Sequence, residues 1–262
     1  MLQADFRDLE MGVVTATERE ALADRVVLVT GSSSGIGEAI ARRCAREGAR
    51  VVVNSRSSED AGRAVAEDLA GAIYLRGDIA DEGECRNLVA STLEQLGRLD
   101  HLVNNAGTTR VIDHADLDSV ATDDWNRILG TNVIGTWYLS RAALPALREA
   151  RGSILNISSV AGVRPTGSSI PYAVSKAALN HLTRLLAKVV GPEVRVNALA
   201  PGLIRTPWTA DWEAVHRAVS ERAPLRRAGE PEDVAEGALG LLLSPYTTGA
   251  IVVVDGGLHL VG

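Results

Sequence analysis

Aromatic residues are scarce in this chain, at 3% of 262 positions with a single phenylalanine. A core with so few rings must be built from Val, Leu, Ile and Ala, and apolar types together reach 46%. That mixture is what buried parallel strands and their covering helices favour. Cysteine is scarcer still. Cys44 and Cys85 are the only two and do not form a CxxC pair, which excludes a disulfide framework or a cysteine-based zinc site and fits a reducing cytoplasm. The five histidines, His101, His114, His181, His216 and His259, have no ligand spacing, so no metal is expected. Positive charge is not in excess: the net charge is −6, which argues against a nucleic-acid partner. No apolar run approaches the roughly twenty residues that span a bilayer. The opening MLQADFRD has neither a basic nor an apolar leader segment, so a cytoplasmic, non-membrane protein is expected.

What the chain does contain is an alternation. Apolar runs of strand length at residues 25–30, 50–54, 72–75, 101–104, 153–158, 194–200 and 251–254 are separated by longer amphipathic stretches. Helices are expected at residues 35–47, 58–70, 81–96, 123–150, 171–190 and 230–243, the first closed by Gly48. Repeated β-α-β units with buried strands predict an α/β fold: one doubly wound parallel sheet with helices on both faces and ligands at the carboxyl ends of the strands. The length suits a single large domain at 25–262, preceded by an extension, residues 1–24, for which an extra helix packed on the domain or a neighbouring subunit is expected.

Between the first strand and the first helix lies Thr30-Gly31-Ser32-Ser33-Ser34-Gly35-Ile36-Gly37. Glycines let a backbone turn tightly against a pyrophosphate, and the helix that follows aims its free N–H groups and positive dipole end at the phosphates. Ordinary turns also collect Gly and Ser; the strand before and the helix after make this segment a phosphate turn. An NAD site would place a carboxylate at the end of the second strand. Here the chain reads Asn54-Ser55-Arg56, with no carboxylate until Glu59. Ser55 and Arg56 offer donors and a positive charge to a 2′-phosphate, so NADP(H) is preferred and NAD(H) is the alternative. Arg56 as a plain solvated loop cation is the other reading.

Tyr172 and Lys176 stand four residues apart at the start of a predicted helix, and so project from one face. An ammonium near a phenol lowers its pKa from about 10, which suits a group trading protons with an alcohol or ketone. By itself this spacing usually marks a solvent-facing helix.

Five ordered segments change that reading: TGSSSGIG at 30–37, NNAG at 104–107, ISS before YAVSK, NALAPG at 197–202 and DGG at 255–257. From about Leu22 onward the chain resembles the short-chain dehydrogenase/reductase (SDR) family, in particular its 3-oxoacyl-acyl carrier protein reductases. The resemblance implies a Rossmann fold and a soluble oxidoreductase that interconverts a carbonyl and a secondary alcohol. It implies that Ser159, thirteen positions before Tyr172, holds the substrate oxygen. Tyr172 would be the acid in reduction and the base in oxidation, while Lys176 would tune it and bind the nicotinamide ribose. Asn132 would anchor a water joining the lysine to solvent, and Asp78 would receive the adenine amine with Ile79 beside it. Asn104, Asn105, Ala106 and Gly107 would line the adenosine ribose, and Pro201, Gly202, Ile204 and Thr206 would cradle the carboxamide. A growing alkoxide needs donors already in place, and Ser159 and Tyr172 supply two.

Residues 203–222 should set substrate choice: Trp208 and Trp212 either close an apolar lid or pack against the domain or a partner subunit. Residues 163–167 would form the opposite wall, with Arg164 meeting an acidic substrate. At the end of the Tyr/Lys helix the chain has Gly191-Pro192-Glu193, where reductases of acyl carrier protein substrates tend to carry a basic residue. That leaves free ketones open beside 3-oxoacyl groups. Two other classes are weighed: a non-catalytic NADP-binding regulatory protein, opposed by the intact Asn–Ser–Tyr–Lys set, and a sugar-nucleotide epimerase or dehydratase, opposed by the short chain. A homotetramer or homodimer is expected, with the 123–150 helix at the interface.

Overall fold

The computed structural model describes residues 20–261, and most of the predicted N-terminal extension lies outside the described residues. Seven strands form one sheet: β1 (Val26–Val29), β2 (Arg50–Ser55), β3 (Ile73–Arg76), β4 (His101–Asn104), β5 (Ser153–Ile157), β6 (Arg195–Pro201) and β7 (Ile251–Val254). Their order is β3-β2-β1-β4-β5-β6-β7, and every pair is parallel. The strands are Val- and Leu-rich because helices cover both faces; all four residues of β1 are fully buried.

Helices α1 (Gly35–Arg46), α2 (Glu59–Glu67), α3 (Glu82–Leu96), α4 (Thr122–Leu129), α5 (Thr136–Ala150), α6 (Ile170–Val190), α7 (Glu213–Arg222) and α8 (Pro231–Leu243) connect them. One apolar cluster joins α1, α2 and α8 to the sheet through residues such as Ile40, Val65 and Leu239. A second joins α3, α5 and α6 to the other face through Leu88, Leu147 and Leu186. Leu22, ahead of β1, is 1% exposed and belongs to the first cluster.

Two features depart from the predicted elements. The helix expected over 123–150 is α4 and α5 joined by a π-helical segment, Gly130–Gly135. Helix α7 stands where only a substrate-facing stretch was expected.

The amino ends of the central strands are clamped by Asp100, 1% exposed. Its carboxylate accepts from Arg25 at 2.8 Å, from Arg98 at 2.6 Å and from the backbone N–H of Val26 at 2.9 Å. Beside it His101 Nδ1 meets the Ser153 hydroxyl at 2.8 Å, and burial lowers that imidazole to about 4. The carboxyl ends of the same strands lie at the opposite end of the sheet. There the strand order reverses between β1 and β4, opening the crevice where such sheets take ligands.

Candidate active site

A cleft of about 1350 Å³ runs along the carboxyl ends of the strands, lined by residues that follow β1 through β6. At one end sits the phosphate turn. Gly31 and Gly35 have φ of +61° and +59°, a region side chains resist. A Cβ on Gly37 would strike the Gly31 carbonyl and the Asn105 amide. The Thr30 hydroxyl accepts from the backbone N–H of Asn105 and of Ala106, each at 3.0 Å. The Asn105 side chain donates to the carbonyls of Thr30 and Gly31 at 2.8 and 3.0 Å. The turn and the segment after β4 are thus one rigid unit. Ser33, Ser34 and Ile36 line it, and Ala106 and Gly107 continue the wall.

Asn104 does not join that wall. It is 2% exposed and its amide donates to Ser140 and Asn156, at 3.1 and 2.9 Å, so it ties β4 to α5 and β5.

At the end of β2, Arg56 is 67% exposed at its side chain and lies 3.7 Å from the Asp78 carboxylate. Ser55 lines the cleft at this end, largely buried, with its hydroxyl shared with the Tyr74 phenol at 2.9 Å. Asp78 and Ile79 line the cleft, and Asp78 is held by a bond from its backbone N–H to Glu84 at 2.7 Å.

The chemistry-bearing end is assembled from three elements. Ser159 leaves β5 in extended backbone and caps a 3-10 turn, Val160–Gly162. Gly162 lets that turn approach α6: a Cβ there would lie 2.6 Å from the Lys176 backbone carbon. Helix α6 starts at Ser169, whose hydroxyl accepts from the Tyr172 N–H, with Pro171 in its first turn. Tyr172 and Lys176 therefore face the cleft one turn apart, with the ammonium 5.7 Å from the ring centroid. Lys176 is 4% exposed and donates to the Ile157 carbonyl at 2.8 Å. Asn132, in the π-helical segment, accepts from the Thr108 N–H at 2.8 Å and donates to the Ser175 hydroxyl at 2.9 Å. It therefore reaches the catalytic helix through the residue beside the lysine.

The electrostatics correct one expectation. Burial pushes the Tyr172 phenol up, and only its hydrogen bond with Ser159 opposes this. Burial likewise brings Lys176 down to about 8. Both groups share one desolvated pocket, and loss of water disfavours the charged form of each.

Beyond the tyrosine, Pro201, Gly202, Ile204 and Thr206 line the cleft as expected. Gly202 accommodates Asp255, whose Cβ would be 2.6 Å from a side chain there. Trp208 and Trp212 also face the cleft. Arg164 lines it too, but its guanidinium donates to the His259 carbonyl, so it clasps the C-terminal turn in place of greeting an acidic ligand. Thr30 and Ser175 were contained in the predicted segments without a role. Helix α7, within the 203–222 stretch expected to face the substrate, and the C-terminal turn at Leu258 and His259, which was not expected there, complete the wall. Among the described residues no cluster of His, Cys, Asp and Glu could hold a metal, and no helix is long and apolar enough to cross a membrane.

Comparison with known proteins agrees with this geometry. A family profile described as "Enoyl-(Acyl carrier protein) reductase" matches residues 31–259. The chain belongs to the short-chain dehydrogenase/reductase family and is an oxidoreductase acting on C=O and CH–OH groups. It is 55% identical over 90% of its length, and 96% of the relative, to "Granaticin polyketide synthase putative ketoacyl reductase 2" of Streptomyces violaceoruber. It is 41% identical to a 3-oxoacyl-[acyl-carrier-protein] reductase of Bos taurus, covering 90% of this chain and 99% of that one. The solved aldohexose dehydrogenase of Thermoplasma acidophilum superposes with a TM-score of 0.84 at 31% identity, over 93% of this chain and 97% of that one.

Proposed function

We propose that the protein reduces the 3-oxo group of an acyl chain to a secondary alcohol with NADP(H), as a ketoacyl reductase of the polyketide or fatty-acid type. The observation that carries this reading is the convergence of Ser159, Tyr172 and Lys176 in one cleft with the phosphate turn. The names of the relatives support the 3-oxoacyl substrate. Glu193, where a basic residue would favour an acyl carrier protein, supports the second reading, a free ketone.

The cofactor fits the residues present. Gly31, Gly35 and Gly37 leave a cradle that side chains would fill, at the N-terminus of α1 where anions are stabilised. Arg56, 3.7 Å from the Asp78 carboxylate, would hold a 2′-phosphate; Asp78, Ile79, Asn105, Ala106 and Gly107 would hold the adenosine, and Pro201, Gly202, Ile204 and Thr206 the carboxamide. Bound there, the nicotinamide supplies a hydride to the carbonyl carbon.

The side chains do the rest. Ser159 donates a hydrogen bond to the carbonyl oxygen, where negative charge grows. Tyr172 gives that oxygen its proton. A phenol whose pKa is raised by burial is protonated near neutrality, which is the form that reduction needs. Lys176 holds the ribose and stands ready to replace the lost proton, and Asn132 fixes the helix that carries both. A cytoplasmic homo-oligomer acting on a small molecule is the setting we infer. Exposed Trp137, Val174 and Leu185 on α5 and α6 support the homo-oligomer.

The test is NADPH oxidation with acetoacetyl-CoA and a panel of free ketones. Tyr172→Phe should lower turnover by about 10³-fold with NADPH binding retained. Equal turnover of variant and wild type, or no turnover of any compound, would end the reading. For the cofactor, wild type should favour NADPH over NADH in kcat/KM, and Arg56→Asp should reverse that by at least about tenfold. A wild type that prefers NADH refutes the assignment.

A further inference from the structure

Two of the four tryptophans in this aromatic-poor chain line one cleft, and one of them touches the catalytic ring. Trp208 meets Tyr172 edge to face, with centroids 6.4 Å apart and planes at 72°. Its side of the cleft is braced. Trp208 lies in a 3-10 turn, Pro207–Thr209, following Thr206, whose methyl group would be 3.3 Å from a Cβ on Gly35 of the phosphate turn. The Thr209 hydroxyl donates to the Ile204 carbonyl at 2.7 Å, and the Thr209 N–H to the Thr206 carbonyl at 3.0 Å. From α7, His216 donates through Nε2 to the Thr209 carbonyl at 3.1 Å. That histidine is 5% exposed and has no partner on its other ring nitrogen. Nε2 also lies 3.2 Å from the Thr209 hydroxyl, so the carbonyl and the hydroxyl of Thr209 both face the buried imidazole.

The half-exposed indole, 49% accessible, stands on a turn whose backbone is held from both sides. The Tyr172 hydroxyl bonds Ser159, the Lys176 ammonium sits over the ring face, and the Trp208 indole meets the ring edge to face. We propose that Trp208 is a positioning residue that holds the Tyr172 ring at the angle where its hydroxyl meets Ser159 and the reacting oxygen, with His216 fixing Trp208 through Thr209. This rests on Tyr172 being the proton donor. The edge-to-face contact itself is modest, but a displaced proton donor slows the chemical step far more than it weakens binding.

The experiment uses the compound that the wild type turns over fastest in the panel above. Trp208→Ala should lower kcat about tenfold and leave the KM for NADPH within about twofold. Trp208→Phe keeps an aromatic edge and should restore kcat to within about threefold of wild type. In a Tyr172→Phe background, Trp208→Ala should cause no further loss, because the ring it positions no longer delivers a proton. Wild-type kcat in Trp208→Ala, equal losses in the Ala and Phe variants, or a further tenfold loss in the Tyr172→Phe background would each overturn the proposal. A fully active Tyr172→Phe enzyme would sink the acid–base reading itself, a separate result.

Discussion

Lys176 is buried with one backbone acceptor, and its ammonium is held at about 8 against an ordinary 10.5. Between those values the unfolded chain keeps a proton that the folded chain has released, so stability from this group rises with pH through that window. Below pH 8 the full cost is present, on the order of 3 kcal/mol. Lys176→Met should therefore be inactive yet more stable than wild type at pH 7, by about 1–3 kcal/mol, with the margin shrinking toward pH 10. Urea unfolding at the two pH values checks this, and an unchanged margin would refute it. At this scale Ser159, Tyr172 and Lys176 were legible, because helical spacing and segment order translate directly into place. The direction of the phenol's shift was not, since it depends on how much water the surrounding walls exclude. Nor were the partners of Ser55 and Arg164: Tyr74 and His259 lie 19 and 95 residues away, and no local pattern announces them.

Among elements, the phosphate turn carries the tightest backbone approach. Gly37 has no room for a methyl group between the Gly31 carbonyl and the Asn105 amide. Gly37→Ala should cost about 1–3 kcal/mol of stability and at least about tenfold in NADPH affinity, since the turn and the segment after β4 move together. Gly130→Ala is the contrast, having helical dihedrals and nothing within 4 Å of the added methyl. It should be neutral or stabilising, by up to about 1 kcal/mol. Thermal midpoints with and without NADPH separate the two, and equal behaviour would contradict the packing described. All seven strands were legible to within a residue or two at their ends, because buried parallel strands read as unbroken apolar runs. Helix α7 was not: its segment, EAVHRAVSER, is too polar to stand out as an element, and the structure turns the face bearing Val215, Val219 and Arg222 to the cleft. The π-helical segment holding Asn132 was hidden for another reason. One extra residue in a turn leaves the helical pattern on either side intact.

Across the whole molecule, a doubly wound parallel sheet with its ligand cleft at the carboxyl ends was expected from the repeated β-α-β units and right-handed crossovers; the strand order, with its reversal between β1 and β4, comes from the structure. The division of labour between the two ends of the sheet was not expected, because it depends on a single buried carboxylate gathering Arg25, Arg98 and Val26 from separate segments. Binding groups hang from the carboxyl ends, while the Asp100 clamp fastens the amino ends. A consequence follows for descent with modification. On the proposed function, exchanges along the rim at residues 203–222 would alter which carbon skeletons are accepted while the Asp100 footing of the sheet stays intact. A lineage carrying this scaffold can thus drift between substrates without passing through a misfolded ancestor.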